Sequence, residues 1–133
     1  ETELTLFEQQ VKVLYPLLDI NEIQQAFDGD PSTLIRTFEA NPLRIVLVFT
    51  EPVEMVGLEA LIGGPRTRVT TRINPERSEE VHEFFVEVDQ SNINRTAALD
   101  FGKSLLVQSI EIEILNIDDP EIAHVHLWEI IFK

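Results

Sequence analysis

The densest chemistry in this 133-residue chain lies between Phe27 and Thr37, in the run Phe-Asp-Gly-Asp-Pro-Ser-Thr-Leu-Ile-Arg-Thr. Asp28, Asp30, Ser32 and Thr33 crowd carboxylate and hydroxyl oxygens together, and the backbone adds carbonyls. Hard oxygen donors at that density could hold a hard cation. Asp-Gly is also a turn pair, and Pro31 stiffens the loop. The same oxygens also serve as Asx and Ser/Thr turns that satisfy their own backbone, and on local chemistry alone that is the favoured reading. Gly29 comes too early for an EF-hand, and no Glu closes the loop as that motif requires.

Two other groups carry titratable or cationic side chains. His124 and His126 share one face of a strand, close enough for a common zinc, with His82 or a carboxylate as the third ligand. Only three histidines exist and no His-Glu-x-x-His helix accompanies them, so a polar strand face is the simpler reading. Arg66, Arg68 and Arg72 form the one local basic cluster. Arg68 and Arg72 share strand parity and are candidates to grip a carboxylate or hydroxyl-rich ligand, against the plainer alternative of pairing with surplus acids.

Catalytic arrangements are missing. With no cysteine there is no thiol nucleophile, thiolate metal site or disulfide scaffold. No Gly-x-Ser-x-Gly elbow occurs. Gly63-Gly64-Pro65 lacks the Lys-Ser/Thr of a phosphate loop and reads as a turn. With 24 acidic residues, some carboxylate pair falls at glycosidase spacing by chance, so that spacing carries no signal. Asn94-Arg95-Thr96 is a glycosylation sequon, meaningful only in a secreting eukaryote.

The 24 acidic residues against 10 basic ones give a net charge of −14 and a pI near 4.4. That field repels phosphate backbones and excludes nucleic acid as a partner. Anionic membrane surfaces are disfavoured for the same reason, and the plain role of the charge is solubility. No apolar run reaches the ~20 residues of a membrane-spanning helix, and no signal-peptide core follows a basic start. The chain opens on Glu1 and its only methionine is Met55, so a domain excised from a longer parent is expected. One domain is expected to cover residues 1–133.

The elements that must hold these groups read in steps of two, the strand period. Strand candidates are 44–49, 53–62, 68–73, 81–88, 97–101, 109–114 and 124–132. Pro52, Gly63-Gly64-Pro65, Asn74-Pro75, Gly102 and Asp118-Asp119-Pro120 punctuate them. Ile110, Ile112 and Ile114 should face one way, and Glu111 and Glu113 the other. Val11, Val13 and Tyr15 alternate within an otherwise ambiguous 4–18 segment, and 21–26 reads as one helical turn. Short strands without alternating helices predict an all-β sandwich or barrel. Trp128 is expected in core or edge packing. Phe84 and Phe85 are adjacent, so one must leave the core unless both strand faces are covered.

Asp28-Gly29-Asp30 with Thr33, then Asn41-Pro42 before an apolar strand, and Leu127-Trp128-Glu129-Ile130 at the end, resemble the discoidin-like, galactose-binding-like superfamily. That group includes coagulation-factor-type discoidin domains and bacterial carbohydrate-binding modules. The resemblance departs at Ile35, where the family has tryptophan, and in the missing cysteine pair, which favours the bacterial branch. It implies an antiparallel jelly-roll sandwich of about eight strands. It also implies a structural calcium held by Asp28, Thr33 and Glu129, with Asp30 adding a side-chain or backbone oxygen. By alternation Glu129 should share a face with Val125, Leu127 and Ile131. A carboxylate there needs a partner, which a cation or Arg36 would supply.

The resulting expectation is a non-catalytic, extracytoplasmic carbohydrate-binding module that supports a larger secreted or cell-envelope protein, whose own catalytic domain lies elsewhere. The alternative is a structural or protein-interaction sandwich appended to a membrane glycosyltransferase or similar enzyme, without sugar binding.

Overall fold

The computed structural model describes residues 2–38, 40–63, 66–77, 82–89, 96–117 and 124–133. The turn residues Gly64-Pro65 and Asp118-Asp119-Pro120, the strand start Val81, and Asn94 and Arg95 of the sequon lie outside these.

Strands β1 (Thr2–Leu6) and β2 (Gln9–Leu14) form a hairpin reversed at Phe7 and Glu8. Both turn residues have positive φ, 52° and 60°, the signature of a turn whose twist matches its strands. Val11 and Val13 are fully buried, so the alternation in this segment is that of a strand. Next come β3 (Leu18–Ile20), a single 3-10 turn (Ile23–Ala26) and β4 (Ile35–Thr37). β5 (Leu43–Ile62), β6 (Arg66–Ile73), β7 (His82–Asp89), β8 (Thr96–Asn116) and β9 (His126–Phe132) complete the chain.

All pairings are antiparallel, and they resolve into two layers. The first half of β5 pairs with β2 and with the second half of β8, giving the order β1-β2-β5-β8-β6-β7. The second half of β5 pairs with the first half of β8 and with β9, giving β8-β5-β9-β4-β3. Two long strands thus run through both layers of a jelly-roll-like sandwich, as the sequence resemblance implies.

The strands expected at 44–49 and 53–62 are one strand, and those at 97–101 and 109–114 are another. Pro52 does not end β5, because the β5–β8 ladder slips between Val48 and Val53, where a missing N–H is tolerated. Gly102 does not end β8 either. Its φ of 78° lets the strand turn the corner between layers. At Gly57 the two strands approach so closely that an added Cβ would lie 2.3 Å from the Leu99 carbonyl oxygen.

The core lies between the layers. Ile110, Ile112 and Ile114 are fully buried, as are Leu43, Ile45 and Leu47 of β5 and Val69 and Ile73 of β6. Each such side chain contributes roughly 1.5–3 kcal/mol over an exposed one. On the opposite face Glu111 and Glu113 meet Arg44 at 2.9 and 3.0 Å. Phe84 stacks on Phe101 from the other layer, centroids 4.7 Å apart, while its neighbour Phe85 is 65% exposed.

Candidate functional site

The loop between the 3-10 turn and β4 is positioned from both ends. Ile23 and Ala26 are fully buried and seat the turn against β9. The Asn21 side-chain amide donates to the Leu34 carbonyl at 2.7 Å and clasps the loop shut. Inside, the Asp30 N–H donates to Asp28 Oδ1 at 2.9 Å. The Ser32 N–H and hydroxyl both donate to Asp30 Oδ1, at 3.0 and 2.5 Å. The Thr33 hydroxyl donates to Asp30 Oδ2 at 3.3 Å. These are the expected self-satisfying turns, and the Ser32 bonds hold Asp30 below the usual carboxylate range.

One carboxylate from the far end of the chain enters this loop. Glu129 is 3% exposed, and its Oε2 accepts the Gly29 N–H at 3.0 Å. Its Oε1 is buried and has no hydrogen-bond partner. Burial, followed by the nearby charges of Asp28 and Asp30, pushes its pKa up to about 7 against the pull of the Gly29 amide. A bulge at Trp128 sets this position: Ile62 lies opposite Leu127, whereas Leu61 lies opposite Glu129. Simple alternation therefore fails. Val125 and Leu127 are buried as expected, but Ile131 is 38% exposed and Ile130 takes its place in the core.

Arg36 is not the partner of Glu129. It forms a two-pronged pair with Asp19 on the neighbouring edge strand, Nε to Oδ1 at 2.9 Å and Nη2 to Oδ2 at 2.6 Å. Ile35 takes the inward position on β4, which leaves Arg36 on the outward side.

Two of the oxygen donors that a hard cation would use meet at this junction. Asp28 and Glu129 are adjacent carboxylates, and the Glu129 Oε1 is an orphaned buried oxygen. Among the described residues no three His, Cys, Asp or Glu side chains are placed to hold a metal. Asp30 and Thr33 face each other across their hydrogen bond, so their side-chain oxygens are already engaged.

The zinc arrangement does not form. The His124 ring Nδ1 lies 2.7 Å from the Thr37 carbonyl oxygen, and the His126 ring stacks on Trp128. Burial, then the charges of Arg36 and His124, pushes His126 below its ordinary value. His82 sits on β7, in the other layer and at its far edge. Trp128 is half-buried on an inner strand, and its ring covers Gly63, where an added Cβ would lie 2.7 Å from it. Arg68 and Arg72 are both ion-paired, Arg68 with Glu87 at 2.6 Å and Arg72 with Glu83 at 2.8 Å. Two features escaped sequence reading, the Gly29 amide as the Glu129 anchor and the Asn21 clasp; only the Asn preceding a helical turn hinted at the latter.

No family model and no curated protein matches the sequence. Solved structures do match in fold. A CBM32 module of AlyQ in complex with 4,5-unsaturated mannuronic acid has a TM-score of 0.68 at 14% identity, covering 100% of this chain and 98% of that one. A CBM32 module produced by Clostridium perfringens has a TM-score of 0.64 at 14% identity, covering 92% of each chain. A GH29 fucosidase from Ruminococcus gnavus, in complex with fucose, has a TM-score of 0.73 at 11% identity; the match covers 98% of this chain and 26% of that one. The chain thus shares its sandwich fold with these carbohydrate-binding modules.

Proposed function

We propose that this chain is a non-catalytic carbohydrate-binding module that serves a larger secreted or cell-envelope protein in an extracytoplasmic setting. The observation that carries the reading is the union of the Asp-Gly loop with the terminal strand through Gly29 and Glu129, inside the sandwich shared with modules solved with sugars. The match to about a quarter of a fucosidase chain supports a role as one part of a longer protein. No helix among the described residues is long and apolar enough to cross a membrane.

We assign calcium a structural role at the loop. Asp28 and Glu129 would hold it through their carboxylates, with Asp30 and Thr33 contributing backbone or rearranged side-chain oxygens. The ion would neutralise the buried Glu129 charge and lock the loop to β9.

A glycan array tests the binding role. Signal on a defined set of sugars is expected, and a flat array with an intact fold overturns it. The second reading, a protein-docking sandwich, draws on Leu17 and Phe38, exposed by 69% and 46% and tied together by a backbone hydrogen bond. The flat array is the result it requires.

A further inference from the structure

We infer that the outer face of β8, β6 and β7 carries a seat for one uncharged pyranose ring, with Thr70 as its floor and Phe85 as its apolar wall. The inference rests on the carbohydrate-binding reading and gives it a location.

The register builds the seat. Thr70 on β6 lies opposite Phe85 on β7 and Glu113 on β8. Arg68 and Arg72 stand two residues to either side of it on the same outward face. A short side chain ringed by four long ones leaves a depression of about 300 Å³, lined by these residues with Glu83 and Leu115. That lies at the small end of ligand-site volumes, the scale of a single small-molecule unit.

The lining chemistry suits a sugar ring. Phe85 is an aromatic plane left 65% exposed amid charged neighbours, with the Arg68 guanidinium 5.9 Å from its centroid. Such a plane accepts the C–H face of a pyranose. Ion pairs already orient the polar wall: Arg72 contacts Glu83 at 2.8 Å and Glu113 at 3.4 Å, and Arg68 contacts Glu87 at 2.6 Å. Hydroxyls arriving there meet fixed donors and acceptors, so little side-chain freedom remains to be lost. The Thr70 hydroxyl makes no hydrogen bond among the described residues. Two arginines and two glutamates line the depression, so it is charge-balanced within a chain of −14. A uronate would have to displace a carboxylate from an arginine, whereas a neutral ring would not.

The test uses the whole chain on an array of neutral and uronate oligosaccharides, as wild type, Phe85→Ala and Thr70→Tyr, with melting curves to verify folding. Phe85 is exposed, and Thr70→Tyr fills the depression from its floor, so the two variants perturb the seat independently. The expected result is wild-type binding to neutral glycans, weakened about tenfold or more by each folded variant, a loss of roughly 1.4 kcal/mol. Neutral-glycan binding unchanged in both variants overturns the seat and leaves the carbohydrate reading standing. A preference for uronates overturns the neutral assignment. A wild type silent on every sugar overturns both.

Discussion

Gly29 and Glu129, a hundred positions apart, are joined by a 3.0 Å hydrogen bond from the glycine N–H to the glutamate Oε2. That bond satisfies half of a buried carboxylate and leaves Oε1 without a partner. A buried charge met only in part is costly. Calcium at this point would turn a strained junction into a stabilising one. Millimolar calcium should therefore raise the melting temperature of the wild-type chain above its value in chelator. Asp28→Ala and Glu129→Gln should each abolish that gain. Equal melting in calcium and chelator for the wild type would remove the metal.

The same carboxylate predicts a pH dependence of the chelated protein. Its folded pKa, about 7, lies above its ordinary value of 4.5. A raised pKa contributes stability that is complete below the unfolded value and is lost as pH climbs through the folded one. Between pH 4.5 and 7.5 the chelated wild type should lose up to about 3 kcal/mol from this group. Glu129→Gln has no such proton to lose. Its melting curve, subtracted from that of the wild type over the same window, isolates the effect.

Asn74 offers a test away from the loop. It is 5% exposed, has a φ of 51°, and accepts the N–H groups of Gln108 and Ser109 at 2.8 and 3.1 Å. Its own amide donates to the Leu106 carbonyl at 3.2 Å. Asn74→Ala leaves three backbone groups unpartnered and puts alanine in the left-handed region. A cost of about 2–4 kcal/mol is expected, read as a lower urea midpoint at unchanged slope.

The first hairpin can be improved. Glu8 holds a φ of 60° without being glycine. Left-handed backbone costs an L-residue about 1–2 kcal/mol, and glycine's extra unfolded freedom returns part of any gain. Glu8→Gly should therefore stabilise by roughly 0.5 kcal/mol, seen as a melting rise of about 2 °C. Phe7 is the wrong choice for the same change, because its ring packs on Phe49 and Phe132.

Where burial alone decides a side chain's direction, the sequence was readable. Ile110, Ile112 and Ile114 alternate with Glu111 and Glu113, and the structure buries the isoleucines completely. The Asp-Gly-Asp run was visible as a loop, and its turn hydrogen bonds are local ones. Long-range geometry was not readable. Pro52 and Gly102 look like strand ends, yet one sits where the ladder slips and tolerates a missing donor, and the other supplies the positive φ of a corner. The Trp128 bulge shifts Ile131 outward, and no periodicity announces an extra residue in one strand. Arg36 was a plausible mate for Glu129 in sequence, but the β3–β4 pairing puts Asp19 nearer.

The position of β9 has a consequence in time. It is the last strand in the order, yet it lies inside its layer, between β5 and β4. Until it arrives, the β3–β4 pair has no ladder to the other strands, and the Asp-Gly loop has no glutamate to anchor it. A chain emerging from the ribosome cannot close this layer before β9 is out. Its committed step must wait for the closing strand, so folding should be late, all-or-none and slow, in the millisecond-to-second range of folds dominated by distant pairings. During that wait the second half of β5 presents an open edge, which places the demand for chaperone protection in the interval before β9 docks.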